Sequence, residues 1–311
     1  MEQIIKRDAP KRKLRRFRKE LPFHLLLLPC VVLVFIYMYL PMGGLIIAFQ
    51  KFIPAKGLFG NQKWIGWDNF IYLYHLPGAI KALRNTVIIS LIKIILQLAV
   101  PITVAILLNE ITTPWFRRSA QTLIYLPHFL SWIILGGILI DLLSPSNGLI
   151  NQVLKLFGAE PIFFLGSNQH FRLTLIVTDV WKEFGFGTIV YLAAITNIDL
   201  AQYEAATIDG ASRFQKIFHI TIPNMNMIIV LMMVLSLGNI LNAGFDQVYN
   251  LYSPQVYETG DILDTFIYRI GLLDAQFGVA TAMGMFKSVV STIFISTSYF
   301  CAWKFADYRI F

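Results

Sequence analysis

Six stretches of this chain are long and apolar, and all but the fourth are almost free of charge, at about 22–49, 84–108, 119–143, 172–196, 224–243 and 279–303. An α-helix rises 1.5 Å per residue, so about 20 such residues cross the roughly 30 Å of bilayer hydrocarbon. In hydrocarbon each backbone N–H and C=O must find its partner within the protein, and a helix meets that demand alone. The runs therefore predict an all-α integral membrane protein with six transmembrane helices. Composition agrees. Only 14% of the 311 residues are charged and the mean hydropathy is +0.62, where a soluble domain carries about 25% charged residues.

Nine of the first twenty residues, MEQIIKRDAPKRKLRRFRKE, are Lys or Arg, and they dominate the net charge of +8. A basic run can bind nucleic acid. Directly before an apolar run it marks the cytosolic side and meets anionic lipid. The N-terminus is thus expected in the cytosol, and six spans return the C-terminal KFADYRIF to the same side. Arg117 and Arg118, then Arg213 and Lys216, fall in the loops this topology makes cytosolic. The outer loops, about 51–83, 144–171 and 244–278, hold Asp246, Glu258, Asp261, Asp264 and Asp274 beside Lys51, Lys56 and Lys63. WIGWDNF and FLGSNQHFR read as structured turns or short interfacial helices, and Trp64 and Trp67 suit the aromatic belt. The first apolar run outlasts a signal-peptide core of about 7–15 residues and is followed by no A-x-A site, so it is expected to stay. The organisation expected is a basic cytosolic arm over 1–20 and one six-span domain over 21–311, with a cytosolic loop at 197–223. Cys30 and Cys301 both lie in apolar runs and read as packed, lipid- or core-facing residues.

The chain lacks G-x-x-x-x-G-K-[ST], so it binds no nucleotide by that loop. It lacks H-E-x-x-H and any Cys/His cluster, and its five His are scattered. Ser131 and His128 are i, i+3 neighbours, but nothing completes a nucleophilic set. Charges inside spans are costly and invite a functional reading. In RLTLIVTDVWKEFGFGTIVYL, Asp179, Lys182 and Glu183 share one helical face. They read either as a self-neutralising pair at a helix interface or as the polar lining of a solute path, with Trp181 as a stacking surface. Lys93 and Lys287 are further intramembrane charges. In SLGNILNAGFDQVYN, Asn239 and Asn242 stand at i, i+3, and Gly238 and Gly244 loosen the helix. The Asn pair can bond a neighbouring helix or sugar hydroxyls.

The loop YEAATIDGASRFQKIFHITIPN is polar yet densely signalled. Asp199 stands three before Gln202 and opens a helix from Leu200 to about Asp209. Gly210 can close it in the left-handed region. Ser212, three before Gln215, opens a second helix with Phe214, Ile217 and Phe218 on one face, and Pro223 is expected to end it before the next span. The pair reads as an interfacial linker or as a docking surface. Interfacial helices carry Lys and Arg with bulky apolar residues, so Glu204-Ala205-Ala206 beside Asp209-Gly210 fits docking better.

These residues also match a known pattern. E-A-A, three residues, G, nine residues, I-x-L-P is the cytosolic loop of binding-protein-dependent ABC importer permeases, here with Ile222 in place of Leu. YLPMGGLIIAFQKF, WIGWDNF, RNTVIIS, YLPHFLSW, LLSPSNGLIN, TDVWKEFGFGTIVYLAAI and NAGFDQVYNLYSPQVYETGDILDTFIYRIG extend the likeness to nearly the whole chain, which resembles the polysaccharide branch of the carbohydrate-uptake permeases. The resemblance implies the type I ABC importer permease fold in a bacterial cytoplasmic membrane. It implies a second homologous permease, two cytosolic ATPases that bind ATP and Mg, and an extracellular solute-binding protein delivering an oligosaccharide. It implies ATPase docking by Glu204, Ala205, Ala206, Asp209, Gly210 and Ala211, and no catalysis in this chain. Trp181, Glu183, Asn239, Asn242, Asp246 and Gln247 are the candidates for the solute path. The alternatives are a subunit of an ion-coupled secondary transporter, which would need a carboxylate relay near the midplane, and a membrane scaffold or sensor.

Overall fold

The computed structural model describes residues 9–58 and 60–306, and they are mostly helical. Residues 1–8 of the basic arm lie outside the described residues, as does the end of KFADYRIF. Helix α1, Ala9–Val34, continues through a π turn at Phe35–Tyr39 and a 3-10 segment at Leu40–Phe49. Its apolar part, Glu20–Phe49, has none of its most hydrophobic stretch buried, so its surface is left for lipid or another chain. Cys30 on it is exposed. A two-residue antiparallel ribbon joins Gln50–Lys51 to Lys63–Trp64. The ribbon and α2, Asp68–His75, stack Trp64, Trp67 and Phe70 around Phe49.

The centre of the molecule is a helix pair, α3 at Pro77–Glu110 and α7 at Asn168–Thr196. Asn85 meets Arg172, Lys93 meets Asp179, and Pro101 meets Thr188. Both numbers rise together, so α3 and α7 run in the same direction. Gly187 lets Pro101 approach, where a Cβ would stand 3.2 Å from its Cγ. The chain must therefore return between Glu110 and Asn168. It does so through α4, Pro114–Tyr125, and α5, Trp132–Leu142.

Here the structure corrects the expected third span. Positions 119–143 are not one helix. Helix α4 passes into a 3-10 turn at Leu126–Phe129, Leu130 is extended, and α5 leaves at 102° to α4. Pro127 lacks the N–H a helix needs at that point, and Ser131 caps the new helix by accepting from the Ile134 N–H. Among the described residues, four helices alone are long and apolar enough to span a membrane, and up to six if each bent pair counts as one.

Short helix α6, Leu149–Leu156, precedes α7. After α7 come α8, Leu200–Ile208, α9, Arg213–Lys216, and α10, Ile222–Gly238. A second correction falls here. Pro223 does not end α9. A π turn at Ile217–Thr221 carries the helix through, so that Arg213–Gly238 is one rod of 26 residues. The fifth run also stops at Gly238 rather than 243. Helices α11, Phe245–Leu251, α12, Tyr257–Gly260, and α13, Leu263–Tyr268, fold over the end of α3 before α14, Phe277–Ala306, closes the chain. Apolar packing lies in three places along the α3–α7 axis. One gathers Ile89, Phe171 and Leu175, a second Ile94, Leu263 and Met283, and a third Leu108, Tyr191 and Met225 beside the 197–223 loop.

Candidate functional site

Two features stand at opposite ends of α10. The first is the α8–α9 loop. Asp199 caps α8 by accepting from the Ala201 N–H, one turn position earlier than a capping box with Gln202 requires. Gly210 lies at φ +77, the left-handed conformation that a Cβ disfavours. Ser212 and Gln215 form the full capping box. The Tyr203 hydroxyl meets that of Thr221 at 2.9 Å, Lys216 donates to the Thr207 hydroxyl, and Asn224 donates to Gln202. These bonds tie α8 to the base of α10. Glu204, Ala205, Asp209 and Gly210 face outward, while Ala206 and Ala211 are half-buried. Phe214 and Phe218 are also exposed, so that of the face expected on α9 Ile217 alone is half-buried. Arg213 comes within 3.9 Å of Glu110, a surface contact worth at most about 1 kcal/mol.

The second feature is a cavity of about 310 Å³ midway along α3. Its wall holds Ser90, Lys93 and Gln97 from α3, Asp179 and Glu183 from α7, and Ser236, Asn239 and Asn242 at the end of α10. The buried Lys93 ammonium sits 3.3 Å from Asp179 and donates to the Ala243 carbonyl and to Gln247 Oε1. Gln97 donates to the other Asp179 oxygen at 2.7 Å. Glu183 accepts from Lys182 and meets His128 Nδ1, each at 2.7 Å. Lys182 also donates to the His128 carbonyl. The His128 ring lies flat on Phe186 with centroids 4.1 Å apart. The bend between α4 and α5 is thus fastened to the cavity wall on α7. In contrast, Ser90 Oγ is buried and has no hydrogen-bond partner among the described residues. A buried hydroxyl left unpaired costs about 1–3 kcal/mol, which a polar ligand in the cavity would relieve.

The structure brings Glu183, Asn239 and Asn242 together in this cavity. The helix has ended before the two Asn, so they share a turn rather than a helical face, and both are exposed. Trp181 is exposed and is not part of the lining. Gln247 is fully buried and donates to the Leu175 carbonyl and the Thr178 hydroxyl, so it is a packing residue that orients Lys93. Asp246 is exposed beyond the cavity, its carbonyl accepting from Asn250. Asp179 and Glu183 line the cavity and are also paired, but Asp179 pairs with Lys93 of another helix rather than with Lys182. Sequence reasoning did not assign Ser90, Gln97 or His128 to the site. The one sequence signal was Lys93, a lone charge in an apolar run that needs a buried partner.

The sequence profile of the family described as "Binding-protein-dependent transport system inner membrane component" matches residues 97–302. The polygalacturonan/rhamnogalacturonan transport system permease protein YteP of Bacillus subtilis is 38% identical over 308 residues, 99% of this chain and 96% of that protein. A crystal structure of a bacterial ABC transporter involved in the import of the acidic polysaccharide alginate contains a chain of the same fold. Its TM-score is 0.88 at 37% identity, over 94% of this chain and 99% of that one. A second crystal structure holds a bacterial alginate ABC transporter in complex with an alginate pentasaccharide-bound periplasmic protein. It matches at TM-score 0.86 and 36% identity, over 93% of this chain and 96% of its counterpart.

Proposed function

Because the chain belongs to the binding-protein-dependent transport system inner membrane component family, we propose that it is a permease subunit of an ATP-driven importer for oligosaccharides from acidic polysaccharides. In this reading it crosses a bacterial cytoplasmic membrane six times with both termini in the cytosol. It pairs with a second, homologous permease and receives sugar from an extracellular binding protein. Two cytosolic ATPases hold ATP and Mg and dock on Glu204, Ala205, Ala206, Asp209, Gly210 and Ala211.

The observation that carries the reading is the rod Arg213–Gly238. Its 26 residues span about 39 Å. The docking helix α8 is bonded to one end, and Ser236, Asn239 and Asn242 of the cavity stand at the other. A displacement of α8 by a closing ATPase is delivered to the cavity as a tilt of one rigid helix, the element that alternating access requires. In the cavity, Ser90, Asn239, Asn242 and Glu183 offer hydroxyl, amide and carboxylate groups to sugar hydroxyls.

Reconstitution of the chain with its permease partner, ATPases and binding protein tests this. Glu204→Lys reverses the exposed charge on α8. Gly210→Pro demands φ near −65° where the chain has +77°. Both variants are expected to insert normally and to lose sugar-stimulated ATP hydrolysis. Full coupling in both would remove α8–α9 from the docking role.

A further inference from the structure

The cavity is small for its proposed cargo. At about 310 Å³ it stands at the lower end of pockets for single small ligands, roughly 300–1,000 Å³. An oligosaccharide of several residues must extend past it. The chain turns out of the cavity at Gly244, which lines it and takes φ +93. The next residue, Phe245, forms the wall of a second, open groove of about 420 Å³ between α11, α13 and α14.

The groove is lined by apolar residues together with Asp264, Tyr268 and Thr281. Phe245 and Tyr268 stand 5.6 Å apart, and Tyr249 packs on both, at 5.3 Å and 5.0 Å. The phenols of Tyr249 and Tyr268 are 3.4 Å apart. Aromatic rings with a polar tip offer an apolar face and a hydrogen-bonding edge to the same ligand, as a sugar ring with its axial C–H face and equatorial hydroxyls demands. Asp264 lines the groove and is ion-paired through one oxygen to Lys287. Its second oxygen has no hydrogen bond among those described and can accept from a hydroxyl. A carboxylate on the wall disfavours lipid as the occupant, since ionisable groups in membranes turn to protein or water.

We infer that the Phe245–Tyr268–Asp264 groove, whose wall begins one residue beyond the cavity-lining Gly244, is a second sugar subsite, which engages the part of a longer oligosaccharide that the cavity cannot hold. It rests on the transport reading above. The subsite makes this chain selective for length: short sugars need only the cavity, and longer ones need both.

The test is uptake into proteoliposomes holding the whole complex, with oligogalacturonides and alginate oligosaccharides of two and of five residues. Phe245→Ala and Tyr268→Ala are expected to lower the ratio of five-residue to two-residue uptake by about three- to tenfold. Tyr268→Phe keeps the ring and is expected to recover most of the ratio, which separates lost stacking from misfolding. Equal losses at both lengths, or an unchanged ratio, overturn the inference. Loss of the partner permease on co-purification also overturns it and makes the groove a subunit contact. A wild-type complex that takes up neither sugar length defeats the transport reading itself, an outcome distinct from any failure of the variants.

Discussion

Lys93 is the residue on which the cavity wall depends. It is 5% exposed and its ammonium is shared among Asp179, Gln247 and the Ala243 carbonyl. Removing one partner of a buried pair strands the other charge, at a cost of about 3–5 kcal/mol. Lys93→Met is therefore expected to lower the midpoint of thermal unfolding in detergent sharply. Lys93→Met with Asp179→Leu is expected to restore most of it, and a double variant no better than the single would show that the pair is not what Lys93 supports. The sequence made the three α7 charges visible because they are one helical turn apart. The partner of Asp179 was not legible, because it lies on another helix and nothing local points to it. The same holds for Gln247, which sits among candidate solute contacts in sequence yet faces Thr178 and Leu175 in space. Ser90 gave no signal at all, since an unpaired hydroxyl is a property of the packed interior.

At the scale of elements, what local chemistry determines was readable and what packing determines was not. Asp199, Gly210 and Ser212 announce a helix, a left-handed stop and a second helix, because caps act within four residues. The box at Ser212 and Gln215 can be weighed directly. Ser212→Ala removes the acceptor of the Gln215 N–H and is expected to cost about 1 kcal/mol. It would be read as faster amide exchange at 213–217, with exchange at Asn168–Thr196 unchanged. The apolar run at 119–143 gave no sight of its 102° bend, because hydropathy averages over direction. Pro127 and Ser131 were the clues. The bend is locked where α4 meets α7. A Cβ on Gly185 would stand 1.9 Å from the Ile124 carbonyl oxygen, so the backbones touch. Gly185→Ala is expected to force α4 and α7 apart at about 1–3 kcal/mol, lowering the unfolding midpoint while Gly137→Ala, where nothing lies within 4 Å, leaves it near wild type. Pro223 misled for a related reason: a proline stops a helix only if no turn rearranges before it, and the π turn at Ile217–Thr221 does so.

At the scale of the molecule, the rod from Arg213 to Gly238 links the α8–α9 surface, where ATPase docking is proposed, to the cavity proposed to hold sugar. Asn239→Ala and Asn242→Ala alter only the cavity end. They are expected to lower oligosaccharide uptake more than they lower ATP hydrolysis in the reconstituted complex, and equal losses would return the two Asn to a packing role. The six apolar runs gave the membrane class and the order of the helices. The parallel course of α3 and α7 became evident only from which numbers meet. One consequence concerns assembly. The cations around the cavity, Lys93 and Lys182, are satisfied by carboxylates and carbonyls of this same chain, as is Lys287 by Asp264. The chain thus presents no stranded cation at these sites by itself. In the proposed heterodimer, neutralising these three cations is therefore not a task left to the second permease.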